Sequence, residues 1–279
     1  MKNTSNNADY KKSINLKRKR ARAKRIRRLL LTIIIVTAAI IFARSSFFIV
    51  DEIKVTGNKK YSSNDIIFNT GLITGQNVFK MLGEKPKNLI SFRFKDREQN
   101  VYESMPYVKS VSVRPMLPKA IRIKIQERTP FAILEYNGTS ILIDKEGYAL
   151  ETIKNPDIKK KYFKIIGTLV DSYNLGQEVK FKGESPLQLV ILFCDTLLKS
   201  DKNSDIKLYD KFTSIKVSDI SSVTANFEGR IDGEFGDLDN LEYDLKVFKQ
   251  IFTNNITKNQ KGTLVFSTGS EHPYFVPKD

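Results

Sequence analysis

The chain has 279 residues, of which 47 are Lys or Arg and 31 are Asp or Glu, so its formal net charge is +16. The single cysteine, Cys194, excludes an internal disulfide, and with the single histidine, His272, it is too little to build a zinc site. About 230 residues follow the first 50, enough for one large or two modest domains with buried cores.

Residues 29–43 are uncharged and almost entirely apolar, and they directly follow a basic segment. Fifteen helical residues rise about 22 Å, but continuing past Arg44 to Val50 gives about 33 Å, enough for the ~30 Å hydrocarbon core of a bilayer. The pattern predicts one transmembrane helix over residues 29–50. One alternative is a buried core helix. The other is a cleaved secretory signal, which the long basic front and Ile41 at the first position of the cleavage motif disfavour.

Twelve Lys and Arg residues and one acid, Asp9, precede Leu29, so residues 1–28 carry +11 of the net charge. Short basic flanks stay in the cytoplasm, so we expect a basic cytoplasmic tail, a single pass through the cell membrane and an extracytoplasmic C-terminal part. The membrane-proximal basic residues, expected to contact anionic lipid headgroups, are Arg22, Lys24, Arg25, Arg27 and Arg28. Specific nucleic-acid binding is the alternative, but no aromatic residue is interleaved to stack on bases.

A small α+β module is predicted directly after the apolar helix. Residues 49–56 alternate as a strand, Ser62 or Ser63 offers a cap for a following helix, and residues 87–104 suit a second helix. Residues 107–114 and 120–127 alternate as the two strands of a hairpin. The order strand, helix, helix, strand, strand is that of a compact α+β module.

The module contains five short motifs in a fixed order. They are V-x-G-N (55–58), P-Y-V (106–108), V-x-V-R (111–114), L-P (117–118) and E-R-T-P-F-A (127–132). Behind a basic tail and one apolar helix, this set resembles the FtsQ/DivIB family of bacterial cell-division proteins. The resemblance implies an FtsQ-type POTRA domain over residues 49–128, an extracytoplasmic β domain over 129–270 and a short tail over 271–279. Tyr107 stands where family members commonly have Trp.

The rest of the chain is predicted to be mostly antiparallel β structure with two helices. Asn137-Gly138, between two apolar runs, is a strong hairpin signal. Helices are predicted over residues 186–199 and 238–252, and short strands over 211–217, 222–227, 230–235 and 262–267. The predicted fold class is therefore α+β: one transmembrane helix, a small βααββ POTRA module and a larger β domain.

The sequence contains no convincing catalytic or metal-binding pattern. We therefore expect no catalytic residue, no metal site and no cofactor. Ser204 and Lys207 fit S-x-x-K, the first motif of penicillin-binding enzymes, but the two accompanying motifs are out of order. The acidic residues 232–242 lack the ligand spacing of a calcium loop. A membrane-anchored extracytoplasmic cell-wall enzyme remains the alternative function, and a POTRA-bearing transport component is a third.

The resemblance implies a non-catalytic membrane scaffold at the division septum, which helps to assemble or regulate septal peptidoglycan synthesis. Its implied partners are an FtsB/DivIC-like and an FtsL-like membrane protein. The partner-binding residues expected on an exposed edge strand and the tail after it are Thr263, Leu264, Val265, Phe266, Tyr274 and Phe275. The alternative is that Leu264 and Phe266 fill the core. No small-molecule substrate is expected.

Overall fold

The computed structural model describes residues 4–202, 204–219, 222–266 and 272–278. Ser267, at the end of the predicted last strand, lies outside the described residues, as do 268–270 of the predicted β domain and Glu271 and Asp279 of the predicted tail. The α-helices are α1 (Thr4–Ala43), α2 (Ser63–Thr70), α3 (Val78–Gly83), α4 (Pro86–Ser91), α5 (Lys95–Ser104), α6 (Pro156–Lys161), α7 (Leu187–Asp201) and α8 (Leu241–Asn254).

The β-strands form one three-stranded, one two-stranded and one nine-stranded sheet in the described part of the chain. They are β1 (Glu52–Thr56), β2 (Val108–Met116), β3 (Ala120–Glu127), β4 (Pro130–Tyr136), β5 (Thr139–Asp144), β6 (Ala149–Ile153), β7 (Lys164–Ile166), β8 (Val170–Ser172), β9 (Lys180–Phe181), β10 (Phe212–Asp219), β11 (Ser222–Phe227), β12 (Ile231–Gly236), β13 (Gly262–Val265) and β14 (Tyr274–Pro277).

Helix α1 ends at Ala43, seven residues earlier than the predicted transmembrane helix over 29–50. Arg44 and Ser45 form a turn, and a short 3₁₀ helix over Ser46–Phe48 follows. Phe48 and Val50 are buried in the protein instead of extending an exposed helix. The prediction that the helix continues to Val50 is therefore wrong, because the last apolar residues of the run belong to a folded core.

The module after α1 is built on the sheet β1-β3-β2, in which β1 pairs parallel with β3. Ser62 caps α2 with a reciprocal capping box, its hydroxyl accepting from the Asp65 amide. The predicted single helix over 87–104 is wrong, because Phe92 adopts a left-handed conformation that ends α4. Helix α3 was not predicted, so four helices instead of two separate β1 from β2.

The described chain divides into two compact units. The first comprises residues up to Thr56, Ser62–Glu98 and Ser112–Lys124, and the second comprises Gly57–Tyr61, Gln99–Val111 and the chain from Ile125 onward. The predicted boundary at 128/129 does not coincide with this division. Glu127 is one reason why residues 57–61 are grouped with the second unit. Its carboxylate accepts hydrogen bonds from the backbone amides of residues 59, 60 and 61, at 2.6–3.1 Å.

The large sheet of the second unit has the strand order β14-β13-β12-β11-β10-β7-β4-β5-β6. The predicted Asn137-Gly138 turn joins β4 to β5, with both residues at positive φ. Helices α7 and α8 bury Phe193 and Phe248 in the same core as the sheet. An α+β fold with one long N-terminal apolar helix, a POTRA-type module and a larger β-rich region is thus confirmed.

A buried charge cluster lies where β3 gives way to β4. The Arg128 guanidinium donates to Asp144 at 2.7 Å and to Glu146 at 3.0 Å, and it stacks on the Tyr148 ring at 3.4 Å from the ring centre. The second oxygen of Asp144 accepts from the amides of Glu146 and Tyr148. Only 7% of the Arg128 side chain and 6% of the Asp144 side chain are exposed, so each buried charge is paired.

Candidate partner-binding edge

The last described strand, β14, forms one end of the nine-stranded sheet. It pairs antiparallel with β13, and β13 in turn pairs parallel with β12. The expectation that residues Thr263 to Phe266 form the sheet edge is therefore wrong, because the predicted tail adds one more strand outside them. Phe275 is the physical reason: it packs against the main core opposite Leu264, and this contact anchors the added strand.

The six predicted partner-binding residues fall on two faces of the sheet. Leu264 is buried, and Phe266 stacks on Phe235 at 5.3 Å between ring centres, so both fill the core. Phe275 is partly buried on this same face.

The opposite face carries Thr263, Val265 and Tyr274, together with Val276, which is not among the predicted partner-binding residues. Tyr274 is 52% and Val276 is 46% exposed, so this face offers a small apolar patch. The alternation of Tyr274 and Val276 is the sequence signal that would have identified it.

Two carboxylates border this patch on the neighbouring strand. Asp232 pairs with Thr263 across the sheet and Glu234 pairs with Val265, so both side chains share the patch's face. Asp232 accepts from the Asn226 amide at 2.7 Å and lies 3.3 Å from the Lys278 ammonium. Glu234 is exposed. An apolar patch with a negative border is suited to a segment that combines an apolar and a basic side chain.

The outer side of β14 is poor in backbone donors. The Lys278 amide donates to the Lys261 carbonyl, so the even-numbered residues of β14 direct their backbone groups toward β13. Residues 273, 275 and 277 then direct theirs outward. Pro273 and Pro277 have no N–H, which leaves the Phe275 amide as the donor of this stretch. Edge prolines of this kind restrict how far another strand can pair.

The start of β6, the terminal strand at the other end of the sheet, is covered by backbone hydrogen bonds. Backbone bonds link the start of β6 to residues 176–179: the Gly176 amide donates to Ala149, the Ala149 amide to Gln177, and the Val179 amide to Gly147. These bonds occupy groups that an added strand would need. Of the two terminal strands described, β6 is thus occupied at its start, and β14 is the candidate edge for an added strand.

Close packing at Gly262 holds β14 in place. A Cβ added at Gly262 would lie 2.4 Å from the Val276 carbonyl oxygen and 2.5 Å from the Phe275 ring. Both distances are below any normal contact, so only glycine allows β14 to approach β13 this closely.

Ser204 and Lys207, which match the S-x-x-K motif, form hydrogen bonds to nearby parts of the chain. Lys207 Nζ donates to the Asp201 carbonyl at 2.5 Å, and Ser204 Oγ accepts from the Ile206 amide. Burial raises the pKa of the Cys194 thiol to about 12. Within the described ranges, no group of three or more His, Cys, Asp or Glu side chains is arranged to hold a metal ion.

The basic and apolar parts of α1 are both exposed on the protein. Residues Arg18–Ala43 form the one helix, among those described, that is long and apolar enough to cross a membrane, judged by length and composition. The five predicted lipid-contacting residues lie on its N-terminal side and are exposed, namely Arg22, Lys24, Arg25, Arg27 and Arg28.

Comparison with known proteins agrees with this architecture. Residues 48–128 match the model of the POTRA domain, FtsQ-type. The chain is 29% identical to the cell division protein DivIB of Clostridium acetobutylicum over 65% of each chain. It is 30% identical to the cell division protein FtsQ of Bartonella bacilliformis over 38% of this chain and 30% of that protein.

A third relative extends the match over nearly the whole chain. The chain is 24% identical to DivIB of Clostridium botulinum strain Hall over 94% of each chain. The matches to the first two relatives span less than two thirds of those proteins' own lengths. The POTRA match and the near-complete alignment together confirm the resemblance seen in the motifs: the chain contains an FtsQ-type POTRA domain and is similar to cell-division proteins named FtsQ and DivIB.

Proposed function

We propose that this protein is a non-catalytic, membrane-anchored scaffold of the division machinery at the septum. Its relatives are named as cell-division proteins, and its long N-terminal apolar helix is suited to anchoring it in the cell membrane. In this proposal the scaffold helps to assemble or regulate septal peptidoglycan synthesis, and the predicted domains over 49–128 and 129–270 lie outside the cytoplasm.

The orientation follows from charge. The basic residues before Leu29 remain in the cytoplasm, where Arg22, Lys24, Arg25, Arg27 and Arg28 contact anionic lipid headgroups. Each such charge near the surface contributes about 1 kcal/mol of attraction. The long C-terminal part is then extracytoplasmic.

The partners are an FtsB/DivIC-like and an FtsL-like membrane protein, and one of them adds an extended segment beside β14. The observation that supports this most directly is the accessible edge itself, with Tyr274 and Val276 about half exposed next to it. The segment accepts one hydrogen bond from the Phe275 amide and donates to outward carbonyls. Tyr274 serves as an aromatic anchor, and Asp232 and Glu234 favour a basic side chain on the partner.

Tyr274→Ala tests this role. We expect the full-length variant to bind the purified FtsB/FtsL-like pair at least about tenfold more weakly, equivalent to ~1.4 kcal/mol, because it loses the exposed anchor. Binding is measured by titration in detergent. Tyr243→Ala is the matched control, since Tyr243 is an exposed tyrosine on α8, away from the β14 strand.

A second variant, Phe275→Ala, measures how much β14 contributes to the stability of the fold. Phe275 packs on the core, so its truncation should lower the free energy of unfolding by about 2 kcal/mol, less than for a fully buried phenylalanine. Unchanged affinity of a folded Tyr274→Ala variant would remove Tyr274 from the partner site.

A further inference from the structure

The end of α1 is fixed to the folded module by one side chain. The Asn77 amide nitrogen donates to the carbonyls of Ala43 and Ser45, each at 2.9 Å. Its oxygen accepts from the amides of Phe79 and Lys80, each at 3.0 Å, and thereby caps α3. A single asparagine thus satisfies the last turn of α1 and the first turn of α3, so the two helices are held together.

A chain of aromatic contacts strengthens the same junction. Phe42, in the last turn of α1, lies 5.2 Å from Phe48 between ring centres, and Phe48 lies 4.9 Å from Phe79 on α3. Phe79 continues to Phe92, at 6.2 Å. Phe47 contacts both Phe42 and Phe48. The proposed membrane helix and the helices α3 and α4 therefore belong to one packed unit, joined without a flexible linker.

An apolar groove runs between α1 and these helices. Its α1 side repeats at helical spacing through Val36, Ala39 or Ile40, and Ala43, and its other side includes Phe79 and Leu89. Beside the groove, α4 exposes Leu89 by 50% and Ile90 by 87%. Exposure of this size on neighbouring residues is unusual for a protein surface that faces water only.

Positive charges border this apolar surface. Arg44 follows the end of α1, and the exposed Lys80 and Lys87 lie on α3 and α4. Neither lysine takes part in an ion pair among the described residues. The nearby acid Glu84 pairs with Arg97 at 3.1 Å, and Asp96 is within 3.9 Å of Lys85. The surface therefore presents a positive rim to an approaching anion.

The uncharged part of α1 is also shorter than the hydrocarbon core that a transmembrane helix must cross. Residues 29–43 rise about 22 Å, against ~30 Å for the hydrocarbon core of a bilayer. A short span draws flanking residues into the membrane interface. The flanking residues at the end of α1 are Phe47 and the exposed surface of α4, which the packing described above holds beside it.

We propose that α3 and α4 dock on the outer leaflet of the membrane, with Phe47, Leu89 and Ile90 inserted at the boundary between headgroups and acyl chains. Arg44, Lys80 and Lys87 then contact the phosphates of anionic glycerophospholipids. This docking rests on the proposed membrane span of α1. It fixes the POTRA-type module against the bilayer instead of leaving it free on a tether.

Depth-dependent fluorescence quenching tests the docking. Cys194 is fully buried, so a cysteine introduced at an exposed position is the reactive thiol of the native chain. The full-length variants Ile90→Cys, Asn64→Cys and Ile35→Cys are labelled with an environment-sensitive dye. They are then reconstituted into nanodiscs of phosphatidylcholine and phosphatidylglycerol that contain nitroxide-labelled lipids. Asn64 is an exposed residue in the first turn of α2, beyond the end of β1, and Ile35 is in the middle of the apolar stretch.

We expect the label at position 90 to lose most of its fluorescence to a shallow nitroxide and to shift to the blue, while the label at 64 does neither. The label at 35 should be quenched by a deep nitroxide. Lys80→Glu combined with Lys87→Glu should reduce quenching at 90 in the anionic nanodiscs. Equal behaviour at 90 and 64, with 35 quenched, would overturn the docking but leave the span intact. An unquenched label at 35 would overturn the span and the docking together.

Discussion

At the scale of single residues, Arg128 lies at the centre of a buried charge cluster. Its guanidinium contacts two carboxylates and an aromatic ring, and Asp144 in turn holds two backbone amides. A buried pair of this kind adds little net stability relative to apolar residues, but losing one partner is expensive because the other charge stays buried.

Arg128→Ala should therefore lower the free energy of unfolding by about 3 kcal/mol, measured by urea denaturation followed by circular dichroism. Lys199→Ala is the control, because its ion pair with Glu242 at 3.2 Å is exposed and should contribute little to stability. Equal losses in the two variants would contradict the role assigned to the buried cluster.

Glu228 gives a pH prediction. Hydrogen bonds from Lys211 and then from Arg230 hold the pKa of its carboxyl below the ordinary value. Because the folded pKa is the lower one, Glu228 stabilises the fold above the unfolded pKa of about 4.3, and this contribution is lost as the pH falls through the folded pKa. The free energy of unfolding of Glu228→Gln should fall less between about pH 5 and 3 than that of the parent chain. A parallel decline would refute the assignment.

The helix cap and the hairpin turn that depend on local sequence were predicted correctly. The Ser62 cap and the Asn137-Gly138 turn depend on neighbours within a few residues, so the local sequence contains the required information. The contacts of Arg128 and Asn77 were not predictable from the local sequence. Their partners are determined by the tertiary fold, and no local pattern distinguishes them from surface residues.

At the scale of elements, the main error concerns β14. Tyr274, Phe275 and Val276 favour a strand, but a run of four residues that ends in a proline and follows a polar stretch is too short to predict one with a known partner. They form a strand because Phe275 reaches the core and Gly262 allows close approach. The end of α1 was misplaced for a related reason, since apolar residues that fill a core look like a continued membrane span.

Pro277→Ala tests the outer side of β14. The change adds an outward N–H donor to a strand that has few, so an added partner strand should gain one hydrogen bond. We expect the affinity for the FtsB/FtsL-like pair to rise by about 1 kcal/mol, or roughly fivefold, in the same titration.

Pro156→Ala, at an exposed helix start far along the chain from β14, is the matched control and should leave the affinity unchanged. Weaker or unaltered binding by Pro277→Ala would indicate that the partner pairs elsewhere.

At the scale of the whole molecule, the chain combines a strongly basic tail, a long apolar helix and a large sheet that ends in the strand β14. The similarity to FtsQ and DivIB proteins and the α+β architecture were both predictable, because they depend on charge distribution, apolar length and ordered motifs. Orientation across the membrane stays a prediction, and the proposed partner site is useful only if the sheet lies outside the cytoplasm.

Thiol labelling in intact cells tests this most directly. Tyr243 on α8 is exposed and Cys194 is buried, so Tyr243→Cys introduces one reactive thiol into the large sheet unit, and Lys24→Cys places one in the basic tail. With a membrane-impermeant maleimide, we predict that Tyr243→Cys is labelled in intact cells and that Lys24→Cys is labelled only after the membrane is permeabilised. Labelling of Tyr243→Cys only after permeabilisation would contradict the proposed orientation and, with it, the extracytoplasmic scaffold.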